Sequence, residues 1–124
     1  MKIAAYNYRD FDEAIYFEKF SKQYNVEIVP IRENPTVENA HLAEGCEGVT
    51  VITQPITEDI IAIWDKVGVK HISTRTIGYD HIDLEAAKRL GISVANTPYG
   101  PEGVAEFALM LMLMTIRKAR SVEH

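Results

Sequence analysis

The stretch ISTRTIGYDHID, residues 72–83, holds the residues of this chain best suited to chemistry. Gly78 stands at the centre of a loop, residues 74–80, between an apolar-leaning run (Val67, Val69, Ile72) and the helix-like LEAAKRL. Glycine admits backbone conformations barred to other residues and leaves neighbouring N–H groups uncovered by a Cβ. Two or three such amides make a concave nest for an anion, most simply a carboxylate. Asp83 stands where a helix N-cap belongs. Two readings of the loop stay open on these residues alone: an anion nest, or a tight βα turn that needs glycine only for its geometry.

The elements that position this loop alternate between two hydrophobic periods. Residues 2–7 (KIAAYN) read as a short buried strand, and residues 10–24 as a helix with Phe11 and Ile15 on one row and Tyr16, Phe20 and Tyr24 on another. Residues 26–31 are strand-like. Thr36 opens a second predicted helix, TVENAHLAEG, with Asn39 in the place where a capping box prefers Glu and Gly45 as its stop. The β-branched GVTVIT, residues 48–53, has the character of a central parallel strand. A helix capped by Thr57 (57–66), a strand (69–73), a helix (84–90) and a strand (92–96) follow, and Pro101 begins a last helix to about Ala119.

Such βα alternation with short connections argues for a parallel sheet covered on both faces. Right-handed crossovers make a flavodoxin-like, doubly wound, three-layer αβα domain the expected fold, with five strands in the order 2-1-3-4-5. Residues 1–119 form that domain, and residues 120–124 read as a helix end or a vector and tag remnant. The last helix is apolar nearly all round (Phe107, Leu109, Met110, Leu111, Leu113, Met114), so a monomer with the helix folded back or a helix-exchanged homodimer is expected.

Ligands of open α/β sheets bind beyond the carboxyl ends of the strands. That edge collects Tyr8 and Arg9 after the first strand and Gln54 and Pro55 after the third. It gains Thr76, Ile77, Gly78 and Tyr79 after the fourth and Thr97, Pro98, Tyr99 and Gly100 after the fifth. A guanidinium, an amide, phenols and a glycine loop suit a small polar anion but supply no general base. Arg9 adjoins Asp10 and lies near Asp12, so a plain solvated charge is its competing reading. His81, between Asp80 and Asp83, is read as structural, because transition-metal sites need several convergent donors; no metal ligand is assigned.

Composition narrows the field. The chain has 124 residues, 47% hydrophobic and 25% charged, which is globular and sized for one domain. A net charge of −5 gives no support to nucleic-acid or anionic-membrane partners. The longest apolar run, residues 107–114, is far short of the roughly 18 residues of a membrane span. With no signal-peptide pattern and a single cysteine, Cys46, a cytoplasmic location is expected. Receiver domains and flavodoxins share the expected architecture. A receiver would need acidic residues after the first strand and an aspartate ending the third, where this chain has Asn7 and Thr53–Gln54. A flavodoxin would need a Ser/Thr/Gly-rich phosphate loop where this chain reads NYRDFD.

The segment STRTIGYDHIDLEAAKRLGISVANTPYGPEGVAEFALMLMLMTIRKA resembles the amino-terminal part of the D-2-hydroxyacid dehydrogenases. AYNYRDFDEAIYFEKF and TVENAHLAEGCEGVTVITQ are similar to the same branch, which includes D-lactate dehydrogenases and the vancomycin-resistance dehydrogenase. The resemblance implies that backbone amides at Ile77 and Gly78 hold a substrate carboxylate. It further implies that Tyr99 lines the pocket and that Arg9 borders it; Tyr79, beside Gly78 at the fourth strand end, joins them as a substrate-binding candidate from the strand-end reading. The resemblance places the NAD loop and the catalytic arginine, glutamate and histidine in a domain after the long helix. This chain contains no GxGxxG. The expectation is thus an isolated substrate lobe that binds a small 2-hydroxy or 2-oxo carboxylate weakly, with no catalytic residue, no cofactor of its own and no hydride transfer. The alternative is an excised domain with no retained ligand function.

Overall fold

The computed structural model describes residues 1–10, 14–76 and 78–96. Five parallel strands form one sheet: β1 (Lys2–Tyr6), β2 (Glu27–Ile31), β3 (Gly48–Val51), β4 (His71–Thr74) and β5 (Ser93–Asn96). Their order is β2-β1-β3-β4-β5, the flavodoxin-like order expected from the βα pattern. Pro30 lies in β2, a sheet edge, where its missing N–H removes no bond from the interior of the sheet.

Side chains alternate across the strands and build two apolar layers. Ala4, Tyr6, Val49, Val51 and Ile72 face α2 (Glu58–Val67) and α3 (Leu84–Arg89), which contribute Ile60, Ile61, Trp64, Ala86 and Ala87. Ile3 and Ala5 face α1 (Ala14–Tyr24) through Phe17 and Phe20. Helices thus cover both faces of the sheet. Trp64 Nε1 donates to Tyr6 Oη at 3.3 Å, and the Tyr6 hydroxyl donates to Asn39 O at 2.9 Å, so both polar handles in the core are satisfied. Burial pushes the Tyr6 phenol above its ordinary pKa, against the opposing effect of the Trp64 bond.

Several local expectations need correction. Ile15 is solvent-facing, at 68% exposure, whereas Phe20 of the predicted Tyr16–Phe20–Tyr24 row is buried together with Phe17. The predicted helix over 36–45 is a short 3₁₀ helix, Ala40–Ala43. Thr36 and Asn39 do bond reciprocally, the Thr36 N–H to Asn39 Oδ1 at 2.8 Å and the Asn39 N–H to Thr36 Oγ1 at 3.2 Å. Thr57 occupies the cap position of α2 but makes no side-chain cap bond. Asp83 caps α3 as expected, its Oδ1 accepting from the Ala86 N–H at 3.0 Å. Phe11, Ile77, Tyr99, the predicted helix over 101–119 and residues 120–124 lie outside the described residues. Among the described residues no helix is long and apolar enough to cross a membrane.

Candidate functional site

Parallel strands deliver all their exits to one edge. β1 lies beside β3 and β3 beside β4, so the turn after β1 and the loop after β4 flank the exit of β3. The β1 exit begins at Asn7, which is left-handed (φ 53°). Tyr8 follows and is buried, its ring 5.7 Å from that of Phe17 with the Arg32 guanidinium carbon 5.6 Å from its centre. Arg9 is half-buried, and its carbonyl accepts from the Ala14 N–H at 3.1 Å. The neighbouring carboxylate of Asp10 is taken by Arg32 through two bonds of 2.6 and 2.8 Å. Those bonds hold the Asp10 carboxyl below its ordinary pKa. Gln54, at the β3 exit, is half-buried.

The β4 exit is more heavily tied. Thr74 Oγ1 lies 3.1 Å from Ile52 O, 2.7 Å from Thr76 Oγ1 and 3.1 Å from His81 Nε2. Thr76 Oγ1 in turn donates to Gly78 O at 2.9 Å. Hydroxyl contacts therefore run from His81 to the glycine carbonyl, and His81 is part of the loop's own hydrogen bonding. Gly78 is exposed, and a Cβ added there meets nothing within 4 Å. Tyr79 is half-buried and donates through its hydroxyl to Asn96 Oδ1 at 2.9 Å. A parallel bridge between Ile56 and Ile82 joins the chain after β3 to the chain leaving the loop.

Of the expected substrate-binding residues, Arg9, Gly78 and Tyr79 stand at this edge, and Ile77 and Tyr99 lie outside the described residues. Arg75 carries no sequence signal that singles it out. It is buried, and its guanidinium donates to Thr50 Oγ1 at 3.0 Å, Tyr6 O at 2.8 Å and Asn7 O at 3.2 Å. No local pattern announces it, because its carbonyl partners are 68 and 69 residues away. The described residues contain no group of three or more His, Cys, Asp or Glu placed to hold a metal. A cavity of about 620 Å³ opens at the opposite, amino-terminal edge, lined by Lys2, Lys22, Asn25, Glu27 and Glu47 among others. It lies away from the strand exits, and Lys2 there is paired with Glu27 at 3.5 Å.

Comparison with known proteins places the chain among characterised relatives. Residues 6–121 match the family model described as "D-isomer specific 2-hydroxyacid dehydrogenase, catalytic domain". The chain is 45% identical over 114 residues to a D-specific alpha-keto acid dehydrogenase of Enterococcus faecalis, covering 91% of this chain and 35% of that protein. The solved apo structure of D-lactate dehydrogenase from Escherichia coli is similar with a TM-score of 0.74 and 32% identity, over 98% of this chain and 40% of that one. An NAD-complexed D-isomer specific 2-hydroxyacid dehydrogenase of Lactobacillus delbrueckii has a TM-score of 0.74 and 30% identity, over 80% of this chain and 30% of that one. The chain spans about a third of the length of the curated relatives it matches.

Proposed function

The chain belongs to the D-isomer specific 2-hydroxyacid dehydrogenase family through its catalytic domain, and from that membership we propose that it is the substrate lobe of an NAD-dependent D-2-hydroxyacid dehydrogenase. The backbone amides of Ile77 and Gly78 receive the carboxylate of a small 2-hydroxy or 2-oxo acid, while Arg9, Tyr79 and Tyr99 border it. One observation carries this reading: Gly78 is exposed at the carboxyl edge, and a side chain there would meet nothing within 4 Å. Packing therefore gives no reason for glycine at this position. A bare backbone facing an incoming anion does.

Hydride transfer needs a nicotinamide held against the substrate and a base for the hydroxyl proton. The turn after β1, where a dinucleotide site places its glycines, is Asn7-Tyr8-Arg9-Asp10 with the Tyr8 ring buried in it. These residues do not fit a pyrophosphate, and none is assigned to NAD. In this reading the lobe binds and orients the acid, and by itself transfers no hydride.

The isolated loop stays open to water, so each amide bond contributes about 0.5–1.5 kcal/mol net. Affinity then lies in the millimolar range, about −4 kcal/mol in all. Titrating ¹⁵N-labelled protein with pyruvate, D-lactate and 2-oxoisocaproate, with chloride as control, tests the binding. Amide shifts centred on residues 77–79, smaller at Arg9 and Tyr99, are the expected outcome. Shifts identical to those with chloride would remove the ligand role and leave a scaffold. A parallel NADH turnover assay with pyruvate is expected to match its buffer blank.

A further inference from the structure

We infer that Arg75 is a positioning residue that sets the turn carrying Tyr8 and Arg9 against the loop carrying Gly78; its ligand consequence rests on the carboxylate reading above. Arg75 is the first residue beyond β4 and directly precedes the 76–79 loop. Its own N–H donates to Val51 O at 2.8 Å, so its main chain is fastened to β3. Its side chain then reaches back across the sheet. Nη1 donates to Thr50 Oγ1 on β3 at 3.0 Å, and Nη2 donates to Tyr6 O on β1 at 2.8 Å and to Asn7 O at 3.2 Å. The guanidinium carbon lies 5.7 Å from the Phe17 ring centre, a cation–π distance that adds α1 to the same group. One side chain thus joins three adjacent strands and the helix beneath them.

The decisive acceptors are the carbonyl that ends β1, Tyr6 O, and the one just beyond it, Asn7 O. In an extended strand successive carbonyls point to opposite sides, so one donor nitrogen cannot reach both. Here they converge on Nη2 because Asn7 is left-handed, with φ 53°. That conformation is costly for most residues and tolerable for asparagine. Arg75 therefore rewards the turn that redirects the chain from β1 into Tyr8 and Arg9. At 8% exposure its charge does not face an incoming ligand, so its role is geometric. Lysine could not replace it, because an ammonium has no planar fork to serve Thr50 and the two carbonyls together.

Amide hydrogen exchange on the ligand-free chain tests this directly. The Asn7 N–H is bonded to Glu33 O and the Tyr8 N–H to Ile31 O, both at 3.1 Å. Arg75→Lys is expected to speed exchange at these two amides roughly tenfold more than at the Ile92 N–H, in line with loss of a charge-assisted bond. Adding Asn7→Gly to that variant should restore part of the protection, since glycine takes the left-handed turn without help. Thr50→Val, which removes only the Nη1 contact, should give the same ordering at smaller amplitude and serves if the arginine variant does not fold. Uniform acceleration, or no change at Asn7 and Tyr8, would overturn the inference. In the carboxylate titration, Arg75→Lys should lose the shift at Arg9 and keep that at Gly78. If the wild-type chain shows no carboxylate shifts but the exchange pattern holds, the ligand reading fails and the positioning role stands. Carboxylate shifts with uniform exchange would mean the reverse.

Discussion

The Tyr79 hydroxyl donates to Asn96 Oδ1 at 2.9 Å, joining the loop after β4 to the last residue of β5. The glycine loop is therefore fastened at both ends, by Thr74 to the chain after β3 and by Tyr79 to β5.

Tyr79→Phe removes that bond without changing ring volume. A destabilisation of about 0.5–1.5 kcal/mol is expected, the net worth of one hydrogen bond. Urea unfolding measures it, and amide exchange in β5 should rise more than in β1.

Gly78→Ala separates the ligand role from the fold. The new methyl meets nothing within 4 Å, so stability should change by no more than about 0.5 kcal/mol, as at other open surface sites. Carboxylate shifts at the loop should weaken several-fold. A large loss of stability with binding retained would mean that the glycine serves geometry alone.

Asp83→Ala removes the α3 cap and leaves the Ala86 N–H without its side-chain partner. The expected cost is about 0.5–2 kcal/mol, read from chemical denaturation, whereas Asp83→Asn should be nearly neutral.

His71 makes stability depend on pH. Burial holds its imidazole below the ordinary histidine pKa, opposed by the Glu47 charge, and Nδ1 lies 2.6 Å from Ser93 Oγ. The unfolded chain therefore takes up the proton first as pH falls. The His71 contribution is complete above about pH 6.5 and is lost progressively below it. Asp10, whose pKa is lowered by Arg32, adds a second loss at more acidic pH, beginning at the ordinary carboxylate pKa and continuing below it. Melting curves from pH 8 to pH 5 should show the first slope, and His71→Gln should flatten it.

What could be read in advance divides by range. The strand order followed from the βα alternation, and Asp83 from a cap that acts over three residues. The 36–45 segment has the pattern of a capped α-helix, yet the structure holds it as a 3₁₀ turn with Thr36 and Asn39 bonded to each other. The Tyr6 hydroxyl takes Asn39 O at 2.9 Å and reaches Ala40 O at 3.4 Å, carbonyls that a longer α-helix would use. With those engaged, a tighter turn that places Ala40 and Ala43 together in the core is the outcome. Arg75 has no local signature for a related reason. Its meaning lies in Tyr6, Asn7 and Thr50, which only the folded sheet brings to it.

The Tyr6–Trp64 contact also gives this chain a built-in clock. Trp64 is the single tryptophan, and its indole donates to a residue of the first strand 58 positions earlier. Helix formation in α2 alone leaves that indole without its phenol neighbour. A change in tryptophan emission during refolding therefore dates the arrival of the amino-terminal strand between β2 and β3, a non-local closure of the kind that slows folding. A chain growing from its amino terminus would emit that signal only after residue 64 is free to pack, so the optical trace marks the moment the sheet acquires its centre.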